Sequence, residues 1–158
     1  MDQTPHASQA LERLGISHKV FRHTGQVSSL EQAARERGQR PEQVVRSILF
    51  RLGEDQYLLA LVAGPAQISW KKLRQYLGQS RLSMASEDEV LKVTGYQVGA
   101  VSPFGLLQEV RILMDPGIMR EAEISIGSGI RGTAIILRTE DLQRAFSKVE
   151  VVELLEGK

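Results

Sequence analysis

The stretch QVVRSILFRL-GED-QYLLALVA, residues 43–63, decides the fold, because two apolar runs flank a short polar segment. Both runs are rich in Val, Ile and Leu, and Val and Ile in particular favour β-strands. Gly53-Glu54-Asp55 has the composition of a turn, and three residues are too few for a crossover between parallel strands. The stretch therefore predicts an antiparallel β-hairpin.

Arg46 is the anomaly in the first run. On the period of two that a strand imposes, it shares a face with three apolar residues, Val44, Ile48 and Phe50. A charge in that position is expensive unless it has a partner. The floor of a binding pocket accounts for Arg46 better than an exposed face, although a bulge or a register shift would remove the anomaly. We interpret Arg46 as a binding and electrostatic group, because arginine does not deprotonate.

Helix and strand signals alternate around the hairpin without a strict repeat. Helices are predicted over residues 7–14, from a capping box at Ser28 to Gly38, over residues 69–77 and 86–93, and from Thr139 toward Phe146. Strands are predicted over residues 18–22, 81–84, 110–114, 122–126, 133–137 and 149–154. Several strand pairs are joined too tightly for parallel crossovers. We expect an α+β fold with a mixed, largely antiparallel sheet in a single domain, residues 1–158.

Composition excludes several classes of protein. The chain has 158 residues, 42% of them hydrophobic and 25% charged, which is typical of a globular domain. It has no cysteine, which excludes disulfides, a cysteine nucleophile and a thiolate metal site. Its three histidines lack metal-ligand spacing, so we expect no metal and no cofactor. No apolar run approaches the roughly 18 residues of a membrane span, and the first residues do not resemble a signal peptide, so we expect a cytoplasmic protein without a membrane partner.

A net charge of +1 is too small for broad coating of a phosphate backbone, so a nucleic acid would have to be gripped locally. Basic residues cluster near the ends of two predicted helices. We interpret both clusters as solvated helix faces or as contacts to a few phosphates. They are Arg35, Arg37 and Arg40, and Lys71, Lys72 and Arg74.

The segment GYQVGAVSPFG, residues 95–105, exposes backbone. Gly99 lets a ligand approach the main chain, and Pro103 fixes its own φ and gives up a donor. The backbone N–H groups from Gly99 to Ser102 are therefore candidate donors to a developing oxyanion. The alternative is a plain loop between two elements. A serine triad at Ser102 is weakly supported, because no histidine partner is evident in the sequence.

A second glycine-rich segment, GSGIRG, spans residues 127–132. It would let a ribose or a terminal adenosine approach the main chain, or it is a hairpin whose glycines adopt positive φ. Arg131 is a candidate phosphate ligand or a solvated turn residue. His23 is either structural or at a pocket rim.

Three of these segments together resemble the YbaK/prolyl-tRNA synthetase-associated editing domain family, the free-standing aminoacyl-tRNA deacylases. Residues 99–105 resemble its Gly-x-x-x-Pro signature, residues 44–50 its strand with a basic residue, and residues 127–132 its late glycine-rich turn. In order and spacing, the resemblance extends from about Ala10 to Leu142. The chain departs from the family pattern at Arg46, where the family has lysine.

The resemblance implies that the sheet curls into a small barrel with helices packed outside. It also implies hydrolysis of the ester of mischarged tRNA, with water positioned by the backbone and by the free ribose hydroxyl of the substrate. The partners would be the tRNA acceptor end and, as a further candidate, prolyl-tRNA synthetase. The expected amino acid is Ala, Cys or a similarly small one, carried on tRNA-Pro.

Residue pattern and resemblance together give a set of candidate site residues. The expected catalytic residues are Arg46, Gly99 and Ser102. The expected substrate-binding residues are Ala100, Val101, Pro103, Phe104, Gly127, Ser128, Gly129, Arg131 and His23. Two alternatives stay open: a non-catalytic aminoacyl- or nucleotide-binding module related to the editing domain, which arginine in place of lysine keeps open, and a small-molecule hydrolase that uses Ser102.

Overall fold

The computed structural model describes residues 4–157, so the two ends of the expected domain, residues 1–3 and 158, lie outside the described part. The strands are β1 (Lys19–Arg22), β2 (Val45–Gly53), β3 (Gln56–Ala63), β4 (Ser83–Met84), β5 (Arg111–Met114), β6 (Glu123–Gly127), β7 (Thr133–Arg138) and β8 (Glu150–Val151). The helices are α1 (His6–Arg13), α2 (Leu30–Glu36), α3 (Trp70–Leu77), α4 (Glu87–Thr94) and α5 (Thr139–Arg144), with 3-10 helices at Pro41–Gln43 and Pro116–Arg120.

The hairpin is confirmed as the centre of a five-stranded sheet of order β4-β2-β3-β5-β8. In its antiparallel register, Val45 lies opposite Ala63 and Phe50 opposite Leu58. β5 pairs in parallel with β3, and the short β8 pairs in parallel with β5. β1, β7 and β6 form an antiparallel three-stranded sheet. The expectation of a mixed, largely antiparallel α+β fold is confirmed.

The expected barrel is wrong, because the two sheets do not close on each other. Between β2 and β6 the described backbone makes one isolated bridge, Val44 to Ser125. β4 covers the same edge of β2 only at Phe50 and Arg51. The first half of β2 therefore has an edge without a paired strand, and an open seam remains between the sheets.

The hairpin contributes alternate residues to two apolar clusters, as its period of two requires. Val45, Leu49, Leu59 and Leu61 belong to the larger cluster, which includes residues of α1, α4, α5 and the second sheet. The smaller cluster contains Leu73 of α3 and the hairpin residues Phe50, Leu58, Ala60 and Val62. Burying one such large side chain contributes about 1.5–3 kcal/mol, so coverage on both faces fixes the position of β2.

Helix boundaries follow the local signals closely. Ser86 caps α4 in a capping box with Glu89, and α4 ends at Gly95, whose φ is 85°. The box expected at Ser28 is wrong by one residue: Ser29 caps α2, and its Oγ accepts from the Gln32 amide at 3.0 Å. No helix within residues 4–157 has both the length and the apolar character needed to cross a bilayer.

Candidate functional site

A cleft of about 840 Å³ occupies the open seam between β2 and the second sheet. Its walls come from β2, from the end of β6 and from the two glycine-rich segments. Six candidate site residues line it: His23, Arg46, Gly99, Val101, Gly127 and Arg131. Lys71, Lys72 and Arg74 are not part of its lining.

The two glycine-rich segments form one unit. A Cβ added to Gly127 would lie 2.1 Å from the carbonyl oxygen of Val101, so no side chain fits there without movement of the loop. The Gly129 amide donates to the carbonyl of Ala100 at 2.9 Å, and a Cβ on Gly129 would lie 2.5 Å from the ring of Tyr96. Close approach of main chains therefore sets the position of the loop at the cleft.

Two backbone amides of this loop are available to a ligand. The Ala100 amide donates to the carbonyl of Gln97 at 3.0 Å and is therefore occupied. The amides of Gly99 and Val101 find no acceptor among residues 4–157, and both residues line the cleft. Gly99 has a φ of 91°, which glycine adopts without strain. These two N–H groups are the candidate oxyanion donors.

The remaining candidates of the loop pack behind it. The Oγ of Ser102 is fully buried and accepts from the Phe104 amide at 3.3 Å, and the Phe104 ring stacks on Phe146 at 5.8 Å between centroids. The hydroxyl of Tyr96 donates to the carbonyl of Phe104, and burial raises the pKa of Tyr96 to about 12. None of the following candidates lines the cleft: Ala100, Ser102, Pro103, Phe104, Ser128 and Gly129.

Residues of the second glycine-rich segment fix the turn and tie it to the loop. Ser128 is fully buried, and its Oγ donates to the carbonyl of Thr133 at 2.8 Å. Arg131 is exposed at the rim of the cleft, and its Nη2 donates to the carbonyl of Val98 at 3.0 Å. Its remaining N–H groups are free to meet a ligand.

Arg46 lies in β2 opposite Val62, on the face that the alternation argument assigned to it. Its Nη2 donates to the carbonyl of Ala66, and its Nε is buried with no hydrogen-bond partner among the described residues. Burial lowers the pKa of Arg46, and the guanidinium stays charged at neutral pH. Arg46 is thus a cation at the cleft with an unused donor.

A hydrogen-bonded chain around Arg37 was missed by the sequence reasoning. Arg37 Nε donates to His23 Nε2 at 3.0 Å, and Arg37 Nη1 donates to Ser125 Oγ at 2.9 Å. Since the arginine N–H can only donate, His23 Nε2 must accept, and His23 Nδ1–H donates to Glu36 at 2.6 Å. Both ring nitrogens of His23 are therefore occupied. Arg37 belonged to a cluster interpreted as a solvated helix face or as contacts to a few phosphates, and only the fold brings it to the cleft.

Ser47 was also missed, although the sequence carried a signal for it. Alternation places Ser47 between Val45 and Leu49 on an apolar face, the same anomaly that singled out Arg46 on the other face. Its Oγ is buried without a hydrogen-bond partner among the described residues, and the residue lines the cleft. A buried hydroxyl without a partner costs free energy that a ligand can recover.

No group of three or more metal-ligating side chains (His, Cys, Asp or Glu) occurs within residues 4–157. The polar groups described above for the cleft are guanidinium groups, amide N–H groups and hydroxyls. Such donors suit a ligand rich in acceptors and developing negative charge.

The sequence matches the model of the aminoacyl-tRNA editing domain family over residues 24–145. It is 37% identical over 123 residues to the uncharacterized protein YwhH of Bacillus subtilis, covering 77% of this chain and 78% of that protein. It is 29% identical over 138 residues to the multifunctional Ser/Thr-tRNA deacylase ProXp-y of Escherichia coli, covering 85% of this chain and 82% of that one.

Larger proteins contain a similar segment. The proline–tRNA ligase of Thermosipho melanesiensis is 30% identical over 133 residues, which cover 84% of this chain but 23% of the ligase. A solved structure described as a candidate trans-editing enzyme for prolyl tRNA synthetase superposes with a TM-score of 0.88 at 26% identity, covering 99% of this chain and 100% of that one. The protein APE2540 superposes with a TM-score of 0.85 at 17% identity, covering 96% and 99%, a likeness of fold alone.

Proposed function

Because the chain belongs to the aminoacyl-tRNA editing domain family and is an aminoacyl-tRNA deacylase, we propose that it acts in trans on mischarged tRNA and removes a small amino acid. The observation that carries this proposal is the convergence of two free amides, Gly99 and Val101, and the cation Arg46 on one cleft. Ester hydrolysis needs such a combination, because negative charge develops on the carbonyl oxygen.

In the proposed reaction, the oxygen of a water molecule attacks the ester carbonyl carbon, and the free ribose hydroxyl of the substrate accepts the water's proton. The resulting oxyanion receives hydrogen bonds from Gly99 and Val101, and Arg46 supplies positive charge. The bond from carbon to the ribose oxygen then breaks, and that oxygen takes up the proton, which the neighbouring ribose hydroxyl passes on. The products are free amino acid and uncharged tRNA.

The inventory of the cleft favours a water-based mechanism over a base or nucleophile from the protein. His23 has neither ring nitrogen free, since Glu36 and Arg37 occupy both. The Ser102 hydroxyl is buried outside the cleft lining, which disfavours the alternative of a hydrolase with a serine nucleophile. Removal of one good oxyanion donor costs about 2.7–4 kcal/mol of barrier, so two amides supply a large share of the rate.

For the substrate, we propose tRNA-Pro carrying Ala, Cys or a similarly small amino acid, with prolyl-tRNA synthetase as a functional partner in the cytoplasm. The likeness to part of a proline–tRNA ligase supports this choice. Serine and threonine are a second candidate pair, because ProXp-y is named for them and the Ser47 hydroxyl lacks a partner among the described residues. In the remaining alternative, a non-catalytic module, the same cleft would bind the aminoacyl end without hydrolysis.

The test is a deacylation panel: purified protein against Ala-, Cys-, Ser-, Thr- and Pro-tRNA-Pro, with release of labelled amino acid followed over time. We expect hydrolysis of at least one mischarged species well above the spontaneous rate, and little hydrolysis of Pro-tRNA-Pro. Binding of these species without hydrolysis would favour the non-catalytic module. Saturable hydrolysis of simple esters with no activity on any tRNA would favour the small-molecule hydrolase.

A further inference from the structure

The charges that line the cleft have one sign. Three arginines contribute to its surface, and its lining contains no carboxylate. None of Arg37, Arg46 and Arg131 forms an ion pair with a carboxylate within residues 4–157, where Arg40, Arg51, Arg111, Arg138 and Arg144 do. With a net charge of only +1, the chain does not have a general surplus of cations that would explain this concentration.

Neutral hydrogen-bond acceptors hold Arg37 in place. His23 and Ser125 each accept one hydrogen bond from it, at 3.0 and 2.9 Å. Glu36 accepts from His23 at 2.6 Å, and its charge also acts on Arg37 without an ion-pair contact. The Nη2 group of Arg37 has no partner among the described residues, although the side chain is partly buried at the cleft.

Burial without a counter-ion is costly for a guanidinium. Burial lowers the pKa of both Arg37 and Arg46, and at Arg37 the charge of Glu36 offsets only part of this shift. When an anion binds in the cleft, its negative charge offsets the cost of burying these guanidinium groups. Arginine suits phosphate in particular, because its planar fork donates two parallel hydrogen bonds to two oxygens.

We propose that the cleft contains a phosphate-binding subsite in which Arg37 and Arg131 together contact the phosphate of the terminal nucleotide of the substrate. Arg131 is exposed, Arg37 is half-buried and both line the cleft, so a phosphate bound there would have donors from both. The identity of the nucleotide as the acceptor end of tRNA rests on the proposed function, whereas the phosphate site itself rests on the arginines. Arg46 and the loop amides remain available for the ester.

The test uses AMP, adenosine and inorganic phosphate as probes of the purified full chain, with binding measured by calorimetry at low ionic strength. We expect AMP to bind at least about tenfold more tightly than adenosine, and inorganic phosphate to compete with AMP. Arg37→Gln and Arg131→Gln should each weaken AMP binding at least about tenfold and leave adenosine binding unchanged. Arg144→Gln, on an exposed and ion-paired arginine of α5 outside the cleft, is the matched control and should bind AMP like wild type.

Equal affinity for AMP and adenosine, or full AMP binding in both cleft variants, would overturn the proposal. Arg37→Lys covers the case in which Arg37→Gln fails to fold: it keeps the charge and loses the fork, so AMP binding should weaken less than in Arg131→Gln. The deacylation panel separates the two proposals. AMP binding without hydrolysis of any mischarged tRNA would retain the phosphate subsite and reject the deacylase, whereas hydrolysis with an unchanged KM in Arg37→Gln and Arg131→Gln would do the reverse.

Discussion

Two clefts of similar size differ in whether their lining arginines have a carboxylate beside them. The cleft at the seam, about 840 Å³, holds Arg37, Arg46 and Arg131 without a lining carboxylate. The second cleft, about 670 Å³, is lined by Arg111 and Lys148 together with Glu109 and Glu150. In the second cleft Arg111 is ion-paired with Glu150, and in the first no lining arginine is paired with a carboxylate of the described residues.

Arg111 shows what complete compensation looks like. Its Nε and Nη2 donate to the two carboxylate oxygens of Glu150 at 2.6 and 2.8 Å, and its guanidinium lies 5.7 Å from the centre of the Tyr76 ring. The Tyr76 hydroxyl donates to the same carboxylate at 2.6 Å. An arginine whose fork and charge are already matched by a carboxylate is poorly placed to bind a second anion. Pairing therefore distinguishes arginines that support the fold from arginines that are available to a substrate.

The largest effect is expected at Gly127, where the cleft depends on the contact of two main chains. Gly127→Ala places a Cβ 2.1 Å from the Val101 carbonyl oxygen, so the loop must move. We expect deacylation to fall at least about a hundredfold, because the oxyanion donors are displaced, and stability to fall by about 1–3 kcal/mol. Single-turnover rates and urea unfolding measure the two effects.

Gly53→Ala is the control, because Gly53 lies at the end of a strand and its nearest contact is the end of the flexible Gln56 side chain. Wild-type rates in Gly127→Ala would mean that the loop amides do not act in catalysis.

Alkaline pH should destabilise the fold at Tyr96, whose hydroxyl donates to the loop at the carbonyl of Phe104. Because burial raises the pKa of Tyr96 from 10.0 to about 12, the folded state keeps a proton that the unfolded chain loses. The contribution of protonated Tyr96 to the free energy of unfolding should be fully present below pH 10. It should fall by up to about 2.7 kcal/mol as pH rises through 12. Unfolding free energies across this range measure the effect. In Tyr96→Phe the decline should be much shallower than in Tyr57→Phe, which removes a partly buried tyrosine whose hydroxyl donates to Glu89. Identical declines in wild type and Tyr96→Phe would contradict this assignment.

Acid should lower the stability of the protein by a smaller amount, through the pair of Arg111 and Glu150 in the second cleft. Hydrogen bonds from Arg111 and then Tyr76 lower the pKa of Glu150 from 4.5 to about 2. The stabilisation is present above pH 4.5 and is lost as pH falls toward 2. It should be small and weaken with salt, since both side chains of the pair are more than a third exposed. Thermal unfolding of wild type and Glu150→Gln between pH 5 and 2 checks this. An unaltered acid profile in Glu150→Gln would mean that the pair does not contribute to stability.

The parts of the fold that local pattern controls were predictable from the sequence. The hairpin follows from alternation on both sides of a short turn, and the cap of α4 follows from Ser86 and Glu89. The position of Arg46 at the cleft could be anticipated because one charge on an apolar strand face is visible in sequence, and its role in the site stays a prediction. Ser47 could have been found by the same argument on the opposite face.

The parts that depend on distant contacts were not predictable. Arg37 matters through Ser125, which lies 88 residues further along the chain, and no local pattern links the two. The closed barrel was a wrong expectation, because strand signals do not reveal whether two edges pair. Here the backbone pairing across the seam within the described residues is limited to the bridge from Val44 to Ser125. The packing of the two glycine-rich segments against each other likewise depends on a contact between distant residues, the close approach of Gly127 to the Val101 carbonyl.

The most direct test compares Arg46→Ala with Arg111→Ala, each measured for kcat/KM of deacylation and for free energy of unfolding. We predict that Arg46→Ala lowers kcat/KM more than about tenfold, over ~1.4 kcal/mol, while stability changes by less than about 1 kcal/mol, and that Arg46→Lys retains most of the activity. Arg111→Ala should lose up to about 1 kcal/mol of stability and stay within about twofold of wild-type activity. A wild-type rate in Arg46→Ala, or a loss of activity in Arg111→Ala as large as in Arg46→Ala, would contradict the claim that unpaired arginines of the cleft contact the substrate.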